Sequence, residues 1–264
     1  MRVLHIWNTA GVASILAKYQ AKLLGWNTWV ITRKAFDRLG LTTYGEAWDT
    51  SARKFYIKAL LKASRYDIIH VHALDKIVPL LKLLYPRKSI ILHYHGTDIR
   101  KRWNERKKYW KKADLLLVST PDLLEGAPDI AIWLPNPIDT ELFKPIPHIK
   151  RKPKTALYIY KGFHGETINE IKAVAQKFDL KLTIIYRDKK HVPHIDMPKL
   201  LNRFEYFIDR RYIHSLSKTA LEALACRTKV ITWDDRILTK LPEEHKPENV
   251  VNLLFKLMKE YLPL

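Results

Sequence analysis

The sequence predicts an α/β protein built from two doubly wound parallel sheets, and three observations carry that expectation. Short apolar runs alternate with amphipathic helical stretches along the chain, the rhythm of a parallel sheet whose strands are joined by crossover helices. Histidines and other chemistry-bearing residues gather at the ends of those runs, where such sheets bind their ligands. Between Trp133 and Pro145 the phrase Trp-Leu-Pro-Asn-Pro-Ile-Asp-Thr-Glu-Leu-Phe-Lys-Pro breaks the rhythm, because Pro135, Pro137 and Pro145 fix φ and remove backbone donors. No continuous helix or central strand crosses it. A basic run from Ile149 to Lys154 follows, so the chain is expected to divide into an N-terminal domain over 1–147 and a smaller C-terminal domain over 148–264.

Composition sets the outer bounds. A chain of 264 residues, 47% of them apolar, can bury one large or two modest cores. No stretch approaches the roughly 18 uncharged apolar residues of a membrane span. The opening Met1-Arg2-Val3-Leu4-His5-Ile6-Trp7 runs into Asn8 too soon for a secretory leader and reads as a first strand, so a cytosolic protein is expected. A single cysteine, Cys226, leaves no intrachain disulfide and agrees with a reducing compartment. The net charge of +20 has two readings: attraction to a polyanion such as nucleic acid, an anionic bilayer or a phosphorylated substrate, or a lysine-rich composition of thermophile type.

Taken in order, Val3 to Trp7 is a strand, Asn8 to Gly11 a turn, and Val12 to Leu24 a helix with apolar residues at helical spacing. Gly11 stands where such a turn presents a helix N-terminus to a ligand, as architecture or as part of a phosphate cradle. Gly25 ends the helix and Trp26 to Thr32 is the next strand. A helix over Asp49–Ser64, a strand over Tyr66–Val71, a helix over Leu74–Leu84 and a strand over Ser89–Leu92 follow. Two of these strands end in His70-Val71-His72 and His93-Tyr94-His95-Gly96-Thr97-Asp98. Alternation puts the members of each pair on one face, with His72 and His95 nearest the loops. An imidazole there can donate to a sugar hydroxyl or a developing oxyanion, with Asp98 orienting it. These histidines lack the thiolates or helical spacing of zinc motifs, and no metal is expected.

Arg100 to Lys112 is strongly basic and carries Trp103 and Trp110 on one helical face. It reads either as a surface helix with its tryptophans inward or as an interfacial helix resting on anionic headgroups. Ala113 to Val118 and Ile130 to Leu134 are strands.

In the second half a strand over Thr155–Tyr160 leads into Lys161-Gly162-Phe163-His164-Gly165-Glu166, and a helix over Thr167–Phe178 and a strand over Lys181–Tyr186 follow. Arg187 closes that strand as a candidate cation or as a solvated side chain. The clearest signal is Ser215 to Ile231. Ser217 is an N-cap, Ala220 to Ala225 favours helix, and Lys218 and Thr219 lie in a first turn whose free amides and dipole suit an anion. Glu222 lies one turn beyond Lys218, as a ligand contact or as a plain surface carboxylate. Asn249 to Tyr261 is amphipathic, with Leu253, Leu254, Leu257 and Met258 on one face.

Several of these phrases resemble family 4 glycosyltransferases. Asn136-Pro137-Ile138-Asp139 with Phe143 and Pro145 resembles the Asn-Gly-Val-Asp-x-x-x-Phe-x-Pro phrase that closes their first domain, and His95-Gly96-Thr97-Asp98 resembles their His-Gly-Ser-Asp. Ala223-Leu224-Ala225-Cys226-Arg227-Thr228-Lys229-Val230-Ile231 is similar to their Ala-x-Ala-Cys-Gly-Thr-Pro-Val-Ile. The resemblance implies a GT-B architecture, two Rossmann-like domains facing a cleft, with the last helix crossing back to the first domain. It implies transfer, with retention and without a metal or other cofactor, of a sugar from a nucleotide-diphosphate donor to a glycan or lipid-linked acceptor. His95 would face the transferred sugar with Asp98 nearby, Lys161 would take the place of the family's phosphate-binding arginine, and Glu222 would hold the ribose.

The sequence departs from the pattern where His214 occupies the position of the family's first glutamate, and where no glycine follows Gly165. Two other readings keep the fold: a nucleic-acid-directed transferase or binding module using the basic surface, and a non-catalytic binding protein. A cytosolic chain touching the inner membrane through 100–112 completes the expectation.

Overall fold

The computed structural model describes residues 1–162, 167–189 and 191–263. The chain forms two compact units, one of Met1–Pro137 together with Pro247–Leu264, the other of Ile138–Lys246. Their division falls earlier than residue 148, because Ile138 and Phe143 are buried in the second unit's own core. The last helix belongs to the first unit.

The first unit contains β1 (Arg2–Ile6), α1 (Val12–Leu24), β2 (Asn27–Arg33), β3 (Glu46–Trp48), α2 (Ala52–Ala63), β4 (Ile68–His72), α3 (Val78–Leu84), β5 (Ser89–Tyr94), α4 (Trp103–Trp110), β6 (Leu115–Val118) and β7 (Ala131–Trp133). The seven strands lie in the order β3-β2-β1-β4-β5-β6-β7 and pair in parallel throughout. Buried on both faces, β4 and β5 read as near-continuous apolar runs interrupted only by histidines. Gly25 closes α1 in the left-handed region, its N–H donating to the Ala21 carbonyl. Gly45 is required for a different reason. At φ +111° a Cβ there would meet the Val30 carbonyl oxygen at 2.4 Å.

One face of this sheet packs on α2, α3 and α4 through Phe55, Ala59, Val78, Leu81 and Trp103. The other face is covered by α1 and by the terminal helix, labelled α8 (Pro247–Tyr261), which buries Val250, Val251, Leu254, Leu257 and Met258 against Ile15, Leu16 and Tyr19; Leu253 is only partly covered.

The second unit contains β8 (Lys152–Tyr160), α5 (Ile168–Lys177), β9 (Lys181–Tyr186), α6 (Met197–Leu201), β10 (Phe204–Ile208), α7 (Lys218–Ala225), β11 (Lys229–Ile231) and β12 (Ile237–Leu238). Their order is β12-β11-β10-β8-β9, with only the β11/β12 pair antiparallel among the described residues. The strand β10, absent from the sequence-level reading, is central. Its pairing with β8 shifts register between Phe204 and Tyr206, so no clean alternation marks it. Among the described residues, no helix is long and apolar enough to cross a membrane.

Candidate functional site

In the second unit the carboxyl ends of β8 and β10 and the start of α7 line one concavity, with Lys161, Asp209, Arg210, Tyr212, Ser217 and Thr219 on its walls. Parallel strands aim their last residues at such a point, and a helix that starts there adds its dipole. Ser217 is the N-cap: its Oγ accepts from the Ala220 N–H at 3.1 Å. Asp209, buried behind it, accepts from the Ser217 N–H at 2.8 Å and from the Arg210 N–H at 2.9 Å. The carboxylate thus takes the amide just outside the helix. The first-turn positions, Lys218 and Thr219, follow it.

Charge in this corner is net positive. Lys161 is influenced by Arg187, Arg210, Asp209 and Glu222, and burial, with the two arginines adding to it, pushes its ammonium down to about 8. Burial also lowers Arg187, whose backbone N–H donates to the Tyr160 carbonyl and so fixes it beside the end of β8. Lys218 is lowered by burial against the opposing pull of Glu222 and Asp139. Four cations face three carboxylates, Asp209, Glu222 and Asp139, which leaves a net positive charge that an anionic ligand can neutralise.

Glu222 is 5% exposed and its Oε1 meets His194 Nε2 at 3.1 Å and Lys218 Nζ at 3.8 Å. It is therefore part of a buried polar network with His194 and Lys218 and no solvated surface carboxylate. His194 and Arg210 were not singled out from sequence, because β10 and the turn into α6 lacked a periodic signal. His214 stands apart from this group. It is exposed and stacks on Trp233 with ring centroids 6.3 Å apart, outside the lining of the concavity. Phe163 to Glu166, the continuation of the Lys161-Gly162 phrase, lie outside the described residues.

The first unit holds the histidine-bearing strand ends. His72 is fully buried, and His95 is partly exposed just beyond β5. Both ring nitrogens of His95 are engaged, Nε2 with His72 Nδ1 at 3.0 Å and Nδ1 with Ser119 Oγ at 2.6 Å. Asp98 does not orient that ring. Its carboxylate accepts from the backbone N–H of His95 at 2.9 Å and of Gly96 at 2.5 Å, tying down the loop, while burial raises its pKa. Gly11 is the N-cap of α1 at φ +75°, in the first unit and so not among the residues of the concavity. Trp7 and Ala73, which follow β1 and β4, also take positive φ, at 75° and 59°, so backbone strain is stored beside these strand ends.

Two histidine triads, His5/His70/His72 and His72/His93/His95, bring ligand atoms within 4.8 Å of one another, a clustering not foreseen from the sequence. The rings stack, His70 on His72 at 4.2 Å and 22° and His72 on His95 at 5.2 Å and 20°. Other pairs are tilted, His5 and His70 by 35° and His72 and His93 by 40°, and hydrogen bonds between the ring nitrogens occupy lone pairs an ion would need.

The tryptophans of α4 point inward. Trp103 is 5% exposed with its Nε1–H on the Leu123 carbonyl, and Trp110 donates to the Trp103 carbonyl. Trp103 is core and Trp110 is partly buried against it, which favours the surface-helix reading of 100–112 with its tryptophans inward.

No family model matches the chain and no curated protein matches it. Solved structures do. An α-glucosyltransferase in complex with UDP-glucose and DNA containing an abasic site superposes with a TM-score of 0.62 at 12% identity, over 98% of this chain and 90% of that one. AviGT4, a glycosyltransferase involved in avilamycin A biosynthesis, gives 0.61 at 11%, over 99% and 98%. UDP-GlcNAc 2-epimerase from Neisseria meningitidis, bound to UDP-GlcNAc, gives 0.52 at 15%, over 99% and 92%. The chain has a GT-B glycosyltransferase-like fold. Each unit is one of its Rossmann-like domains, and α8 completes the first.

Proposed function

We propose that this protein is a glycosyltransferase that draws its sugar from a nucleotide-diphosphate donor held in the second unit. The observation that carries the reading is the cationic concavity at the ends of β8 and β10, where Lys161, Arg187 and Arg210 meet the start of α7. Breaking the bond between the anomeric carbon and the diphosphate oxygen leaves charge on the phosphates. Lys161, Lys218 and the Thr219 amide take that charge as preorganised donors, the part a divalent ion plays elsewhere. Glu222 uses Oε2 for the ribose, since both its ion-pair contacts fall on Oε1. His95 serves the transferred sugar, and retention at the anomeric carbon is the expected stereochemistry.

A thermal-shift series with UDP, GDP, ADP and their sugars tests this. A ligand at 100 times its Kd is expected to stabilise the fold by about 2.7 kcal/mol. No shift with any of them, in a folded sample, leaves a non-catalytic binding protein of the same fold as the reading.

For the acceptor, a lipid-linked sugar on an anionic cytosolic membrane surface is the first choice. It is supported by Ile57 and Leu61 of α2 and Leu80, Leu83 and Leu84 of α3, exposed on helices covering one sheet face, with Lys54 and Lys58 beside them on α2. Sedimentation with anionic but not zwitterionic vesicles is the expected outcome. A second reading makes nucleic acid the acceptor. The net charge of +20 and the DNA in the structure of the similar α-glucosyltransferase favour it. It requires affinity for DNA or RNA that falls steeply and linearly with log salt.

A further inference from the structure

On the α1/α8 face of the first sheet, five histidines come together from three neighbouring strands. Register explains it: His5 of β1 is opposite His70 of β4, and His72 of β4 is opposite His93 of β5, so their side chains share a face. His5, His70, His72 and His93 are fully buried, and His95 alone of the five reaches the surface. Four of them form a continuous hydrogen-bonded row. Gln20 Oε1, from α1, meets His5 Nε2 at 2.8 Å, and His5 Nδ1 meets His72 Nε2 at 3.1 Å. His72 Nδ1 meets His95 Nε2 at 3.0 Å, His95 Nδ1 meets Ser119 Oγ at 2.6 Å, and Ser119 Oγ meets His93 Nε2 at 3.0 Å.

A neutral imidazole has one N–H and one lone pair, so the row has a direction. The Gln20 carbonyl oxygen only accepts. His5 must then carry its proton on Nε2, which leaves Nδ1 to accept from the Nε2–H of His72, and the same condition passes to His95. The Nδ1 of His95 is left as an acceptor, satisfied by the Ser119 hydroxyl, and that hydroxyl accepts in turn from His93. Burial, the first cause for His5, His70, His72 and His93, holds these four below the usual histidine range, His5 at about 4, so the buried imidazoles stay uncharged near neutrality. Both termini lie inside the protein, at Gln20 and at His93 Nδ1, which has no hydrogen-bond partner among the described residues. A row closed at both ends carries no proton through; it fixes one.

We propose that Gln20 is a positioning residue that sets the tautomer of His95 from three hydrogen bonds away, so that His95 presents Nδ1 as a lone pair and acts as an acceptor from a substrate hydroxyl. The inference rests on the reading of His95 as the group serving the transferred sugar, and it reverses the donor role expected from sequence. On the Nδ1 side the buried Ser119 hydroxyl holds the place of the donor in this structure.

Long-range ¹H–¹⁵N correlation spectra of histidine-labelled full-length protein test it without any nucleotide sugar. The expected wild-type result is the neutral Nε2–H tautomer at His5, His72, His93 and His95. Gln20→Met removes the acceptor and is expected to turn His95 into a mixture of tautomers, while Gln20→Glu, which still accepts, restores the single one. Nδ1–H tautomers in the wild type, an unchanged His95 in a folded Gln20→Met protein, or a stoichiometric transition ion bound in place of the N–H protons would each overturn the proposal. If Gln20→Met does not fold, Ser119→Ala decides: it is expected to shift His95 Nδ1 and leave His72 as Nε2–H, and a change of tautomer at His72 counts against the direction of the row. A protein that takes no nucleotide sugar yet shows these spectra loses the substrate assignment and keeps the row.

Discussion

Lys161 titrates at about 8, well below an ordinary lysine, because it is buried beside Arg187 and Arg210. Only its protonated form attracts a diphosphate. Affinity for UDP is therefore expected to be full below pH 8 and to fall as pH rises through 8, with the arginines carrying what remains. Calorimetric titration between about pH 6.5 and 9.5 measures this. Lys161→Ala is expected to weaken UDP binding by roughly ten- to a hundred-fold, the worth of one charge-assisted hydrogen bond, and to flatten that pH dependence. A pH profile unchanged in the variant would assign the titration elsewhere. The lysine was legible in sequence because it directly follows an apolar run. Arg210, Asp209 and His194 were not, since each becomes part of the site only after β10 has been inserted between β8 and β11. His5 and Gln20 were hidden for the same kind of reason: parallel pairing brings His5 to His70 from far along the sequence, and no local pattern announces it.

Helix α7 shows what an element adds to its residues. Its sequence signature was clear, a serine followed by an alanine-rich stretch, and the structure gives the cap bond from Ala220 N–H to Ser217 Oγ at 3.1 Å. Ser217→Ala is expected to cost about 1 kcal/mol of stability, read as a shift of the urea midpoint, and Ser217→Gly only a few tenths. Loss of the cap frees the Ala220 amide, so UDP binding is expected to change less than in Lys161→Ala. Helix α4 teaches the converse. Its basic composition suggested a membrane surface, but spacing alone cannot tell a tryptophan face turned to lipid from one turned to core. Here Trp103 turns to the core, where its buried indole N–H finds the Leu123 carbonyl, and Trp110 packs partly buried beside it. The short strands β3 and β12 escaped notice because two or three residues carry no period.

At the scale of the whole molecule, alternating elements and the proline-marked break announced two α/β units, while the exact seam depended on where Ile138 and Phe143 found their core. The first unit also concentrates buried, uncharged imidazole to a degree that makes its stability depend on pH. For each of His5, His70, His72 and His93 the folded-state pKa lies below the ordinary value of 6.5, at about 4 for His5 and well below 6.5 for the rest. Below pH 6.5 the unfolded chain binds protons that the folded one refuses. Stability is thus fully present above that pH and is lost progressively as pH falls toward the folded values, by up to about 1.4 kcal/mol per pH unit for each histidine. Carboxylates that are paired in the fold, such as Asp67 with Arg2, begin to contribute only at lower pH, since their ordinary range lies near 4. Urea denaturation followed through the first unit's tryptophans is therefore expected to weaken between pH 6.5 and 5, ahead of paired carboxylates such as Asp67. Replacing His70, whose two ring nitrogens find no partner, by a residue that does not titrate should make that fall shallower. An unchanged slope in such a variant would assign the fall to the other buried histidines.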